Sequence, residues 1–223
     1  MRPTKTALSV ALSLATVSVA PSALAQAFGR KGDAVFAAER LFGFTSTSAT
    51  LENPGPGDDI EFDGTNFSLG WHGSWGTASP YEIPRFAFDY LVTDGLSVGG
   101  SLGFASIHQD VDGGFIGANG DGSSFLLAPR VGYVHMFSDV FGIWPRGGFT
   151  YHSQSIDDAY DANGFGITLE CMFPISPTNH FGFLIGPTLD IDFTGSLDPD
   201  GPADDVDLTY TTFGIQVGLF GWL

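Results

Sequence analysis

From Phe181 to Phe193 the chain is apolar at every second position (Phe181, Phe183, Ile185, Pro187, Leu189, Ile191, Phe193), with Gly182, Gly186, Thr188, Asp190 and Asp192 between them. A period of two puts these sets on opposite faces of a strand, and a run of about a dozen residues is long enough for a tilted strand to cross a bilayer. The same pattern recurs. Pro84–Val92 sets Phe86, Phe88, Tyr90 and Val92 against Arg85, Ala87, Asp89 and Leu91. Leu96–His108 sets Val98, Leu102 and Phe104 against Ser97, Gly99, Ser101, Gly103 and Ala105. Ser124–Met136 sends Phe125, Leu127, Val131 and Tyr133 outward and leaves Ala128, Arg130 and Gly132 inside. Val140–Ser153 turns Trp144, Arg146, Thr150 and His152 inward, and Gly164–Phe173 does the same with Thr168, Glu170 and Met172. With His180–Phe193, Leu208–Leu223 and a first run at Asp33–Thr47, eight strands are predicted. The first run is the poorest, because Glu39 and Arg40 are adjacent. One of them must face the wrong way, lie near an interface or sit at a bulge.

Two kinds of connection alternate between these strands. Thr93-Asp94-Gly95, Ser138-Asp139 and Ile175–Asn179 are tight turns. The others, near 48–83, 109–123, 154–163 and 194–207, are long and rich in Gly, Pro, Asn, Ser and Asp. Short turns at one end and long loops at the other are the asymmetry of an up-and-down barrel in an outer membrane. Counting tight turns as periplasmic, the last strand runs downward, and one upward strand is needed before Pro84–Val92. Asn66–Trp75 is strand-like too. It is assigned to an extracellular hairpin or strand extension, and ten strands is the alternative if it has a partner.

No stretch after the leader approaches the roughly 18 continuous apolar residues of a membrane helix, so spanning requires a closed sheet with every backbone polar group paired inside it. Residues 1–25 read as a cleaved secretory signal: Arg2 and Lys5, an apolar Ala7–Ala20, then Ala23-Leu24-Ala25 before Gln26. That leaves 26–223 as one barrel domain. Two of the 8 basic residues lie in the leader, so the mature chain sets 6 against 25 acids, a formal charge of −19. Nucleic acid is excluded as a partner. The lone Cys171 forms no internal disulfide.

The stretch from Pro84 to Phe104, PRFAFDYLVTDGLSVGGSLGF, resembles the small outer-membrane β-barrels of the OmpA and OmpX type, and the likeness of pattern extends over the whole mature chain. The family's terminal insertion signal is partly matched by Gln216, Gly218 and Leu223, with Gly221 where a bulky residue is usual. The resemblance implies an all-β, up-and-down antiparallel transmembrane barrel in the outer membrane of a Gram-negative cell. Its implied partners are membrane lipid, lipopolysaccharide and the barrel-insertion machinery, and its implied state is a monomer.

Eight strands leave an interior that side chains fill. The inward set comprises Arg85, Asp89, Arg130, Trp144, Arg146, Glu170, Asp190, Phe220 and Trp222. Its charges are stable in a low-dielectric lumen only as mutual partners. A polar plug is the favoured reading and a narrow channel for ions or small solutes the alternative. A lipid-modifying enzyme ranks third: His152 is expected at the height of Asp190 and Asp192, but Ser153 points to the other face, Gln154 holds the same-face position and His135 has no serine partner. His72, His108 and His180 fall at strand ends or in the loop. No catalytic, cofactor-binding or metal-binding residue is assigned. Asp110-Val111-Asp112-Gly113, Asp121-Gly122 and Asp198, Asp200, Asp204, Asp205 and Asp207 have the spacing of calcium-loop fragments without a complete motif, so only weak association of Ca²⁺ or Mg²⁺ is expected. Trp71, Trp75, Phe67 and Tyr81 are read as headgroup anchors in preference to a partner-binding patch or a cap on the barrel mouth. The expected role is structural or surface-interacting.

Overall fold

The computed structural model describes residues 28–52, 59–69, 79–109, 120–156, 160–200 and 204–223. The signal segment 1–25, Asp58, Trp71, His72, Trp75, Asp110, Asp112, Asp157 and Asp158 lie outside them. The strands are β1 (Ala34–Leu51), β2 (Ile60–Leu69), β3 (Arg85–Leu91), β4 (Leu96–Gln109), β5 (Gly120–Tyr133), β6 (His135–Met136), β7 (Gly142–Ile156), β8 (Tyr160–Ile175), β9 (Phe181–Pro199) and β10 (Val206–Trp222). Neighbours pair antiparallel in the order β10-β9-β8-β7-β5-β4-β3-β1, and β1 pairs β10 to close the ring. Eight staves result, because β6 prolongs β5 and β2 stands above β3 on the same edge of β1. From the level of Arg85 down to the tight turns each stave is paired on both sides, the condition for spanning hydrocarbon with strands.

Strand parity follows the predicted faces. Phe86, Phe104, Phe149 and Phe193 are each at least 60% exposed on the outside, while Asp89, Leu91, Trp144 and Asp190 are wholly buried inside. The tight turns and both ends of the barrel share one pole, where Ala34 and Leu223 exchange backbone hydrogen bonds at 3.1 and 3.0 Å. At Gly95 the turn between β3 and β4 needs a φ of +82°, a region open to glycine at no steric cost. At the opposite pole the strands run further than the sequence indicated. β1 continues to Leu51, β7 to Ile156 and β9 to Pro199, while β5, β8 and β10 begin at Gly120, Tyr160 and Val206, so the wall enters all four regions assigned to loops. Alternation holds poorly in these polar extensions, which is why they read as loop.

The stave of β2 and β3 is interrupted. Phe42 pairs with Leu69 and Glu39 with Arg85, so the chain between Leu69 and Arg85 leaves the wall at one level and returns to it just below. The strand-like Asn66–Leu69 is thus part of the barrel wall in β2. Among the described residues, β2 pairs with β1 alone, and β4 above Gly103 pairs with β5 alone. Opposite the interruption β1 bulges: Ala38 faces Leu219 but Phe42 faces Val217, and Arg40 takes a φ of +55°. The bulge resolves the conflict at Glu39-Arg40, since both side chains are buried in the lumen.

Candidate functional site

Three layers of side chains fill the barrel. The floor, at the pole of the tight turns, is apolar: Trp144 from β7, Met172 from β8, Leu184 from β9, and Phe220 and Trp222 from β10 pack with Leu91, Val134 and Phe28. Trp144 Nε1 donates to Ser97 Oγ at 3.0 Å, which satisfies the indole in an otherwise greasy setting.

The waist is ionic. Arg130 donates to both oxygens of Asp89, through Nε at 3.1 Å and Nη2 at 2.5 Å. It also donates to both oxygens of Glu39, through Nη1 at 2.7 Å and Nη2 at 2.9 Å. Arg146 donates to Glu39 Oε1 at 2.6 Å, lies 2.8 Å from Glu170 Oε2 and stacks over Trp144 at 4.7 Å. Arg40 grips Asp190 with two parallel bonds of 2.8 and 2.9 Å, and sits 3.5 Å from Glu170. Arg85 is 3.8 Å from Asp190. Four guanidiniums face four carboxylates, all buried, so the layer is neutral within itself. Bidentate geometry suits arginine, whose planar fork matches a carboxylate and always carries its charge.

The upper layer hangs on the excursion between β2 and β3. A short 3₁₀ turn, Pro80–Glu82, enters the lumen and is held from below by Arg40 and Arg85, whose Nη1 and Nη2 donate to the Tyr81 carbonyl at 2.5 and 3.2 Å. The Tyr81 hydroxyl donates to Asp192, which also accepts from Tyr210 N at 3.0 Å and lies 3.0 Å from His152 Nε2. Glu82 accepts from Thr45 at 2.5 Å and Asn66 at 2.7 Å. Tyr81 is therefore a lumen residue, not a headgroup anchor. Its hydrophobicity suggested an interface, but the prolines on both sides and the hydrogen-bonding tip fit a turn pushed into a polar cavity. Phe67, in contrast, projects from β2 at 73% exposure.

Every residue of the predicted inward set is buried, and the sequence reading missed Tyr81 and Glu82 as further members. His152 does meet Asp192, whereas Asp190 is committed to Arg40. A carboxylate beside an imidazole orients a general base. Here the ring is 1% exposed, and Nδ1 has no hydrogen-bond partner among the described residues. His135 lies exposed on β6, and His180 is tied to the Trp222 carbonyl at 3.0 Å. The described acids and histidines form no cluster able to hold a metal ion.

An apolar exterior, a closed antiparallel wall and a lumen packed with side chains define a small β-barrel of the outer-membrane type. Among solved structures it is similar to the outer membrane protein OprG from Pseudomonas aeruginosa, at 14% identity and a TM-score of 0.51 over 86% of this chain and 97% of that one. More distant likenesses are to Ail, the attachment invasion locus protein of Yersinia pestis (10% identity, TM-score 0.34, 85% of this chain and 99% of that one), and to the outer membrane protease OmpT from Escherichia coli (7%, 0.44, 86% and 97%). No family model and no curated protein matches the chain.

Proposed function

We propose that the protein is an integral outer-membrane barrel with a structural or surface-interacting role, neither a conducting pore nor an enzyme. One observation carries this reading: the lumen is occupied at three successive levels by an aromatic floor, a neutral ionic waist and the Tyr81 turn. A solute would have to displace buried, paired charges, and each charge left without its partner costs several kcal/mol. Among the described residues no side-chain hydroxyl or thiol is hydrogen-bonded to His152 as a nucleophile would be. The apolar belt contacts lipid as a monomer, and the acidic rim around Asp198, Asp200, Asp204, Asp205 and Asp207 gathers Ca²⁺ or Mg²⁺ loosely, bridging to the anionic lipopolysaccharide surface. Proteoliposomes carrying the barrel test the sealed lumen. They should release entrapped small sugars and amino acids no faster than empty vesicles, and concentration-dependent release overturns the reading. Lipid A recovered from cells with and without the protein should give identical mass spectra, and a change in acyl composition overturns the non-enzymatic part.

A further inference from the structure

We infer that the segment just before β1 is an intramolecular stopper, in which Phe28 fills an aromatic cup at the lower mouth and fastens the first strand to the last. Phe28 belongs to no strand, yet it is 2% exposed. Its ring centroid lies 5.5 Å from Trp144, 5.0 Å from Phe220 and 5.4 Å from Trp222. Two of those three walls come from the end of β10, and Phe28 is only six residues before β1, so the ring sits beneath the seam where Ala34 and Leu223 close the barrel. The inward direction of Phe220 and Trp222 has its partner here: without Phe28 the cup would open directly to the mouth.

The backbone that delivers the ring is clasped. Asp33, buried at 2% exposure, accepts from the amides of Gly29 at 2.9 Å and Arg30 at 3.0 Å. Asp94, in the tight turn between β3 and β4, accepts from the Lys31 amide at 2.9 Å. Gly95 N donates to the Gly29 carbonyl and Gly32 N to the Leu91 carbonyl, each at 2.9 Å. Gly29 and Gly32 take φ values of +105° and +99°, and a Cβ on Gly29 would lie 3.1 Å from Val134 Cγ1. A segment held by two carboxylates and two left-handed glycines is a built feature, not a frayed terminus. The bonds of Gly32 and Asp33 to Leu91 continue the edge between β1 and β3, while the bonds to the Asp33 and Asp94 carboxylates lie outside the strand ladder.

The sequence places Phe28 three residues after the expected cleavage point.

The test uses the mature chain from Gln26, folded in detergent, with Trp71→Phe and Trp75→Phe so that emission arises from Trp144 and Trp222. In that background Phe28→Ala should shift emission to the red, raise quenching by acrylamide and lower the melting midpoint by roughly 10 °C, the scale of a large-to-small change in a packed site. Benzene should raise the midpoint of Phe28→Ala and leave the parent unchanged, as a ligand does when it fills an apolar cavity. Phe28→Leu should stay close to the parent. Identical emission and quenching in parent and Phe28→Ala, or equal benzene stabilisation of both, overturns the inference. Hydrogen exchange on the unsubstituted protein gives an independent answer should Phe28→Ala fail to fold: the amides of Gly29, Arg30 and Lys31 should be protected, and exchange at the rate of a free terminus overturns the clasp.

Discussion

The waist and the rim hold acidic groups under opposite regimes. Inside, Glu39, Asp89, Glu170 and Asp190 meet four arginines at distances of 2.5 to 3.8 Å, all of them buried. At the upper pole Asp198, Asp200, Asp204, Asp205 and Asp207 have no basic residue near them in sequence, and all five are exposed to solvent screening. All six basic residues of the mature chain lie at or below the waist: Arg40, Arg85, Arg130 and Arg146 in the lumen, Arg30 and Lys31 beside the stopper. Charge in the interior is thus spent on stoichiometric pairing, while charge outside is left to repel. Removing one partner should be severe in the first case and nearly silent in the second.

The largest effect is expected at Arg130, which holds Glu39 and Asp89 together. Arg130→Met should destabilise the barrel by about 3–5 kcal/mol in urea unfolding, because two buried carboxylates lose their shared cation. Adding Asp89→Leu to it should recover part of that loss. Additive losses would show that the waist is not a mutual network. Next in size is Tyr81→Phe, which removes the hydroxyl from Asp192 but leaves both arginine bonds to the Tyr81 carbonyl. A cost of about 1–3 kcal/mol is expected, the scale of one buried acceptor left unsatisfied. The same unfolding titration should show no change for Tyr81→Phe if the turn is only loosely seated.

How far the sequence carried this picture depends on whether neighbours in space were also neighbours in pattern. Strict alternation located Arg85, Asp89, Arg130, Arg146, Glu170 and Asp190 on the inner face, since a period of two assigns faces without any tertiary knowledge. It failed at Glu39 and Arg40, where a bulge inserts residues against Gly218, and the ambiguity at that pair was itself the signal. Tyr81 was illegible for another reason. An excursion from the wall has no periodicity, and only contacts from Arg40, Arg85 and Asp192, distant in sequence, fix where it goes. Pairing partners inside the waist were equally beyond reach, because stagger between staves decides which arginine meets which acid.

The smallest effect belongs to the rim. Asp205 raises the pKa of the Asp198 carboxyl above its ordinary 3.8 by like-charge repulsion. A carboxyl whose pKa is higher in the folded protein than in the unfolded chain favours the fold below the unfolded value, and that contribution is lost as pH rises through the folded one. The rim should therefore relax slightly on the acid side, opposite to the behaviour of a paired carboxylate. Carbon-13 titration should place Asp198 above an isolated aspartate, and Asp205→Asn should return it toward the ordinary value with no measurable change in urea unfolding. An unmoved titration would mean that the two carboxyls do not sense each other.

The central claim is that paired side chains close the lumen. Single-channel recording of the purified, folded barrel in a planar bilayer addresses it most directly. The membrane should stay silent across the voltage range and at both low and high salt. Discrete, reproducible openings that scale with the amount of protein would contradict it.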